Sequence, residues 1–243
     1  MSKVSLSQRQ DAVLCYLVKE YTCTGNAVSS SLLVKKYNLE VSPATIRNDF
    51  QKLTQRGYLY KIHTSGGRIP TDKAWKFFVD KIFQEEIISQ RKNRLVFEWV
   101  EEHRQVFRKK QQLVPLIKEL LDVLAKKNHS FYFCYLLGEN VLVQEGLNYM
   151  FREMAEEQLL SLNFIQPVID SLDSLGERLK NLKITRIPSV FIGRENPLVK
   201  SDQFSSLVTP LRSCSAVLGT IGPKRMPYRE NIILLKTISD ILA

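Results

Sequence analysis

The 243-residue sequence predicts an α+β protein with a small helical unit first, a helical stretch next, and a domain of alternating strands and helices last. Three observations carry this reading. Apolar residues recur at helical spacing through residues 1–83, interrupted once by an aromatic, β-branched segment that turns on Gly66-Gly67. Residues 84–127 keep a helical period but are more highly charged. From residue 128 onward, short strand-like runs alternate with helical ones.

The first helix opens at Ser7-Gln8-Arg9-Gln10, which has the form of a capping box. Val13, Leu14, Leu17, Val18 and Tyr21 follow at helical spacing, and Gly25 supplies a left-handed stop. Ser29 caps a second helix that places Leu32, Leu33 and Tyr37 on its buried side. The third helix begins with Ser42 as cap and Pro43 in the first turn, where a missing N–H costs nothing. Ile46, Phe50 and Leu53 share one face and Gly57 closes the end. The opposite arc carries Thr45, Arg47, Asn48, Gln51 and Lys52, beginning beside Ser42. Arginine and asparagine on such an arc suit the major groove, where they form bidentate contacts to guanine and adenine edges.

Residues 58–63 read as a strand, Thr64-Ser65-Gly66-Gly67 as a turn, and Arg68-Ile69-Pro70 as a short return strand confined to an edge by its proline. Two strands after a recognition-type helix make a wing, so residues 1–83 read as a winged helix-turn-helix domain. Lys61, His63, Thr64, Ser65, Gly66, Gly67 and Arg68 are its candidate DNA contacts. Thr71 and Asp72 cap a fourth helix whose apolar side is Ala74, Phe77, Phe78 and Ile82.

Charge agrees with this assignment. The net +10 is uneven: residues 1–83 hold thirteen Lys+Arg against six Asp+Glu, residues 84–127 ten against seven, and residues 128–243 twelve against twelve. An N-terminal basic excess points to a polyanion, because Lys and Arg release counterions from phosphate. Cys15, Cys23, Cys134 and Cys214 form no C-x-x-C pair and lie away from His63, His103 and His129, so neither a metal site nor a disulfide framework is expected. No nucleophile–base constellation or phosphate-binding glycine loop stands out, so no catalytic residue and no cofactor are expected. No apolar run reaches bilayer length, which predicts no membrane partner and a cytoplasmic location.

Over residues 84–127, a helical linker is expected. Ile88, Leu95, Trp99 and Val106 fit a weak coiled-coil seam for pairing two subunits, or the sparse apolar side of a solvated helix. Pro115 interrupts the pattern, after which Leu116, Ile117, Leu120, Leu121 and Leu124 define a denser amphipathic helix. In residues 128–243, strands are predicted over 131–137, 141–143, 189–192, 206–209 and 216–221. Helices are predicted over 150–162, 167–182 and 229–242. Phe131, Tyr132, Phe133 and Tyr135 read as strand residues rather than a ligand box.

Several segments are similar to a known family. Residues 41–48, Gly57-Tyr58-Leu59 and the ungapped run from His63 to Lys73 resemble the heat-inducible transcription repressor HrcA of bacteria. The resemblance resumes at Glu145-Gly146-Leu147-Asn148, at residues 191–196, at Ser206-Leu207-Val208 and at residues 219–228. It implies a repressor of chaperone genes that binds double-stranded DNA as a homodimer on an inverted-repeat operator of the CIRCE type, with the chaperonin GroEL as a partner. It also implies a GAF-like fold for residues 128–243. Family members run about a hundred residues longer, a size that suits an extra domain. Where the family holds its first GAF-like strands and an inserted dimerisation domain, this chain has only residues 128–145, so either a reduced form or a differently assembled dimer is expected. Two other readings remain at this stage: a ligand-sensing winged-helix regulator, and a winged helix used for protein contacts.

Overall fold

The computed structural model describes residues 6–61, 67–85, 93–105, 107, 110–156 and 162–243. They form two compact units, Met1–Glu85 and Glu86–Ala243. The stretch expected to be a linker belongs to the second unit, because its helices bury their apolar sides there.

In the first unit, α1 (Gln8–Thr24) starts in the expected capping box, with the Ser7 hydroxyl accepting from the Gln10 amide and the Gln10 side chain returning to Ser7. It ends at Gly25. Helix α2 (Ser30–Lys36) is capped by Ser29, whose hydroxyl accepts from the Leu32 amide at 3.1 Å. Leu33 is fully buried and Tyr37 stacks on Tyr16 at 4.2 Å, but Leu32, expected inside, is exposed. On this seven-residue helix only a narrow stripe reaches the core. Helix α3 (Pro43–Gln55) follows, then strand β1 (Leu59–Lys61), strand β2 (Arg68–Pro70) and helix α4 (Asp72–Gln84).

Strands β1 and β2 pair antiparallel, with Tyr60 opposite Ile69. The return strand is not confined to an edge. Arg68 also exchanges two backbone hydrogen bonds of 2.9 Å with Val28, while Pro70 lies two residues beyond and has no donor to lose there. Thr71 occupies the cap position of α4, but its hydroxyl makes no capping bond. It donates instead to the carbonyls of Gly57 and Tyr58. On α4 the buried side is Ala74, Trp75, Phe78, Val79 and Ile82; Phe77 is half-buried, edge-on to Tyr58.

The second unit is built on a five-stranded antiparallel sheet. Its strands are β3 (Phe131–Leu136), β4 (Val141–Glu145), β5 (Ser189–Ile192), β6 (Phe204–Leu211) and β7 (Ala216–Pro223), ordered β4-β3-β7-β6-β5. Residues 137–140 alone join β3 to β4. Every side chain of β3 is buried, because both sheet faces are covered. Phe131, Phe133 and Tyr135 pack with Met150, Met154 and Val168 of α7 (Leu147–Glu156) and α8 (Leu162–Leu172), and with Leu175 and Leu179 of α9 (Leu175–Lys180).

On the opposite face, Tyr132 donates to Asn231 of helix α10 (Tyr228–Ile241) at 3.1 Å. It accepts from Asn128 at 2.7 Å. Asn128 ends helix α6 (Lys110–Asn128). That helix runs on through Pro115, its sixth residue, so the expected break is absent. Leu113, Leu116, Ile117, Leu120, Leu121, Leu124 and Ala125 are buried on this helix, which packs on β3 and β4.

Helix α5 (Arg94–His103) packs on α10 through Val96 and Val100. This packed face is one residue on from Leu95 and Trp99, so it is not the stripe read as a seam between subunits. Leu95 is 66% exposed, and Trp99 stacks on His103 at 4.3 Å. Ile88 and Val106, the other two seam positions, lie outside the described residues.

Candidate nucleic-acid interface

Helix α3 is fixed at both ends by local chemistry. At its start, the Ser42 hydroxyl accepts from the Thr45 amide at 3.2 Å and lies 3.0 Å from the Thr45 hydroxyl. At its end, Gly57 takes φ +75°. Gly57 and Tyr58 then donate to the carbonyls of Thr54 and Leu53, each at 2.9 Å, closing a Schellman turn. A side chain at Gly57 would sit in a left-handed conformation at a cost of about 1 kcal/mol.

Between these ends, Ile46, Asp49, Phe50 and Leu53 are buried, at positions i, i+3, i+4 and i+7. This leaves Ser42, Arg47, Asn48, Gln51 and Lys52 exposed and Thr45 half-buried. All six recognition-helix residues singled out from the sequence thus lie off the buried stripe.

The wing is less complete. Lys61 is exposed at the end of β1, beside Tyr60, which is 47% exposed. Arg68 is half-buried at the root of the wing, with Nε 3.3 Å from the Thr54 hydroxyl of α3, so it joins wing to helix. Gly67 has a packing reason for its identity, since a Cβ there would come within 2.6 Å of the Val28 backbone. His63, Thr64, Ser65 and Gly66 lie outside the described residues.

Asp49 is the residue that sequence reading missed. It is 1% exposed and paired with Arg9 of α1, Nε to Oδ2 at 2.7 Å and Nη2 to Oδ1 at 3.4 Å. That hydrogen bond raises the Arg9 pKa above its ordinary value. The available signal was its place on the buried stripe, where a carboxylate needs a cationic partner. Two more ion pairs tie α1 to its neighbours: Glu20 to Lys36 of α2 at 2.6 Å, and Asp11 to Lys81 of α4 at 2.7 Å. Ser7, Arg9, Gln10, Lys52, Gln55 and Arg56 line a shared open concavity, and an Arg56 Nη1 lies 3.5 Å from the Gln10 side-chain oxygen.

Residues 77–232 match the model of the HrcA protein C-terminal domain, and residues 9–70 match a DeoR-like helix-turn-helix domain. A heat-inducible transcription repressor HrcA of Chloroflexus aggregans is 35% identical over 125 residues, covering 51% of this chain and 32% of that relative. The matching stretch therefore spans about a third of that protein's length. The repressor of the same name from Caldanaerobacter subterraneus subsp. tengcongensis is 25% identical over 338 aligned positions, covering 98% of this chain and 97% of the relative. That alignment is longer than the 243 residues of this chain, so the relative carries additional sequence. A crystal structure of a hypothetical protein shares the fold, with a TM-score of 0.77 at 20% identity over 98% of this chain and 99% of that one. Among the described residues, no helix is long and apolar enough to cross a membrane.

Proposed function

The chain belongs to the HrcA family, and from that premise we propose that it is a cytoplasmic, sequence-specific repressor of heat-shock genes that binds an inverted-repeat operator as a homodimer. The observation that carries this reading is α3: a helix capped at its start, locked at its end, and presenting Arg47, Asn48, Gln51 and Lys52 outward. In the duplex, Arg47 and Asn48 read base edges, with Thr45, Gln51 and Lys52 flanking them and Ser42 fixing the start of the helix. Lys61 and the wing residues 63–68 hold the DNA backbone, and Gly67 lets the wing root close onto Val28. Two-fold symmetry sets half-sites about 10 base pairs apart or a multiple of that.

The second unit acts as a reduced GAF-like domain. Its covered sheet supports a scaffolding role, because the aromatics of β3 are used in packing. The partner implied by the family is the chaperonin GroEL, which would raise the fraction of repressor competent for DNA.

The test is a competition between a labelled duplex carrying an inverted repeat from upstream of the chaperone genes and a scrambled duplex of equal composition. The reading expects a preference of at least about a thousandfold for the repeat. Equal affinities would remove sequence-specific repression, and no binding to either duplex at low salt would remove DNA as the partner. Addition of GroEL should raise the active fraction; an unchanged fraction removes that partner alone.

A further inference from the structure

Arg9 is an exposed cation whose direction is imposed by a buried group. Its side chain is 51% exposed, while Asp49, which holds it, is 1% exposed. Burying a carboxylate on the inner stripe of α3 is expensive, and a well-packed apolar residue there would serve stability as well or better. An ion pair with one partner in solvent returns little of that cost. What the carboxylate does that an apolar residue would not is orient a planar guanidinium through two donors, Nε and Nη2. Arginine carries five N–H donors, so Nη1 and the second Nη2 hydrogen remain for another acceptor.

The surroundings indicate which acceptor fits. Arg9 shares its open concavity with Lys52 and Arg56, and with the first turn of the seventeen-residue helix α1. Backbone N–H groups of that turn add positive potential on the same side. Asp49, the acidic side chain lining the concavity, is already paired with Arg9. Lys52 stands on the outward face of α3, so the concavity lies along the flank of the helix proposed to enter the major groove. A groove-bound helix is bordered by phosphates.

We propose that Arg9, oriented by Asp49, binds a phosphodiester of the DNA backbone beside α3, and that Asp49 is a positioning residue for that contact. The inference rests on the DNA-binding reading above and adds a contact from α1 to those of α3 and the wing. Because the acceptor is a phosphate, the contact carries no base preference and acts alike on operator and unrelated duplex.

The experiment measures binding of the full chain to a fluorescently labelled mixed-sequence duplex across a salt series, with thermal unfolding of each variant alongside. Arg9→Gln should reduce the slope of log K against log salt by about 0.9, the value for one phosphate contact. The double variant Arg9→Gln/Asp49→Asn removes both charges, avoids an unpaired buried carboxylate, and should show the same reduction. Asp49→Asn alone keeps the Arg9 charge and should retain the wild-type slope while weakening binding. A wild-type slope in the double variant overturns the contact, whatever happens to its melting temperature. Wild-type affinity in Asp49→Asn overturns the positioning role. A wild-type protein that binds no duplex overturns the DNA reading itself, which separates that failure from the failure of Arg9.

Discussion

The Nζ of Lys73 stands 2.6 Å from the backbone carbonyl oxygen of Arg56, so the first turn of α4 closes the end of α3. The same ammonium lies 4.4 Å from the centroid of the Tyr58 ring. An orphan carbonyl, the negative end of a helix and an aromatic face are met by one charge. Lys73→Met should lower the unfolding free energy by about 0.5–1 kcal/mol, given that the site is open to solvent. An unchanged urea midpoint would show that the contact contributes nothing.

Gly67→Ala should be more damaging. The added Cβ would meet the carbonyl carbon and oxygen of Val28 at 2.6 Å, and backbone cannot swing aside as a side chain can. A loss of about 1–3 kcal/mol is expected, as for other overpacked sites. Hydrogen exchange should quicken at the Val28 and Arg68 amides; slow exchange at both would contradict the tight approach.

Base reading and backbone binding should separate by mutation. Arg47→Ala should lower operator affinity and narrow its preference over scrambled duplex by about 1–3 kcal/mol. Lys61→Ala should weaken both duplexes equally and flatten the salt dependence. Were Arg47→Ala also to weaken both duplexes by one factor, the base-reading role would be lost.

In α5, the packing of Val96 and Val100 has a direct test. Val100→Ala, at a fully buried site, should cost about 1–3 kcal/mol. Leu95→Ala, on the exposed side, should cost under about 0.5 kcal/mol in the isolated chain. If Leu95→Ala also shifts the oligomeric state in sedimentation, the outer face of α5 is part of the subunit contact.

Thiol reactivity should follow burial. Cys23 is exposed, Cys15 and Cys214 are half-buried, and Cys134 is buried within the sheet. Burial pushes the Cys214 thiol up to about 11 and the Cys134 thiol well above its ordinary range, so at pH 8 both stay protonated. A disulfide reagent should therefore modify Cys23 first, Cys214 slowly, and Cys134 only on unfolding. Rapid reaction of Cys134 in the folded protein would contradict its place in the sheet.

Much of the first unit was legible because its information is local. Ser7, Ser29, Ser42 and Gly57 act within a few residues of themselves, and each helix start or end they mark is found in the structure. Long-range relationships were not legible. Asp49 sits on the stripe of Ile46, Phe50 and Leu53, but the partner that pairs it, Arg9, lies forty positions away and is named only by the fold. On α5, Leu95 and Trp99 fit an apolar stripe as well as Val96 and Val100 do, and only α10 decides between them. Thr71 likewise has a capping residue's identity and position, but the nearby carbonyls of Gly57 and Tyr58 take its hydroxyl.

The three ion pairs of α1 have a consequence for how the first unit assembles. Along α1 the charges run positive at Arg9, negative at Asp11 and negative at Glu20, and each meets its opposite on a different helix. If α2 and α3 exchanged places, Lys36 would face Arg9 and Asp49 would face Glu20. The first misplacement would set two cations together and the second would set two buried carboxylates together, a penalty that apolar side chains alone cannot impose. The apolar residues thus reward any compact collapse, whereas the charges reject a swapped one, so the order of helices around α1 is proofread as the domain folds.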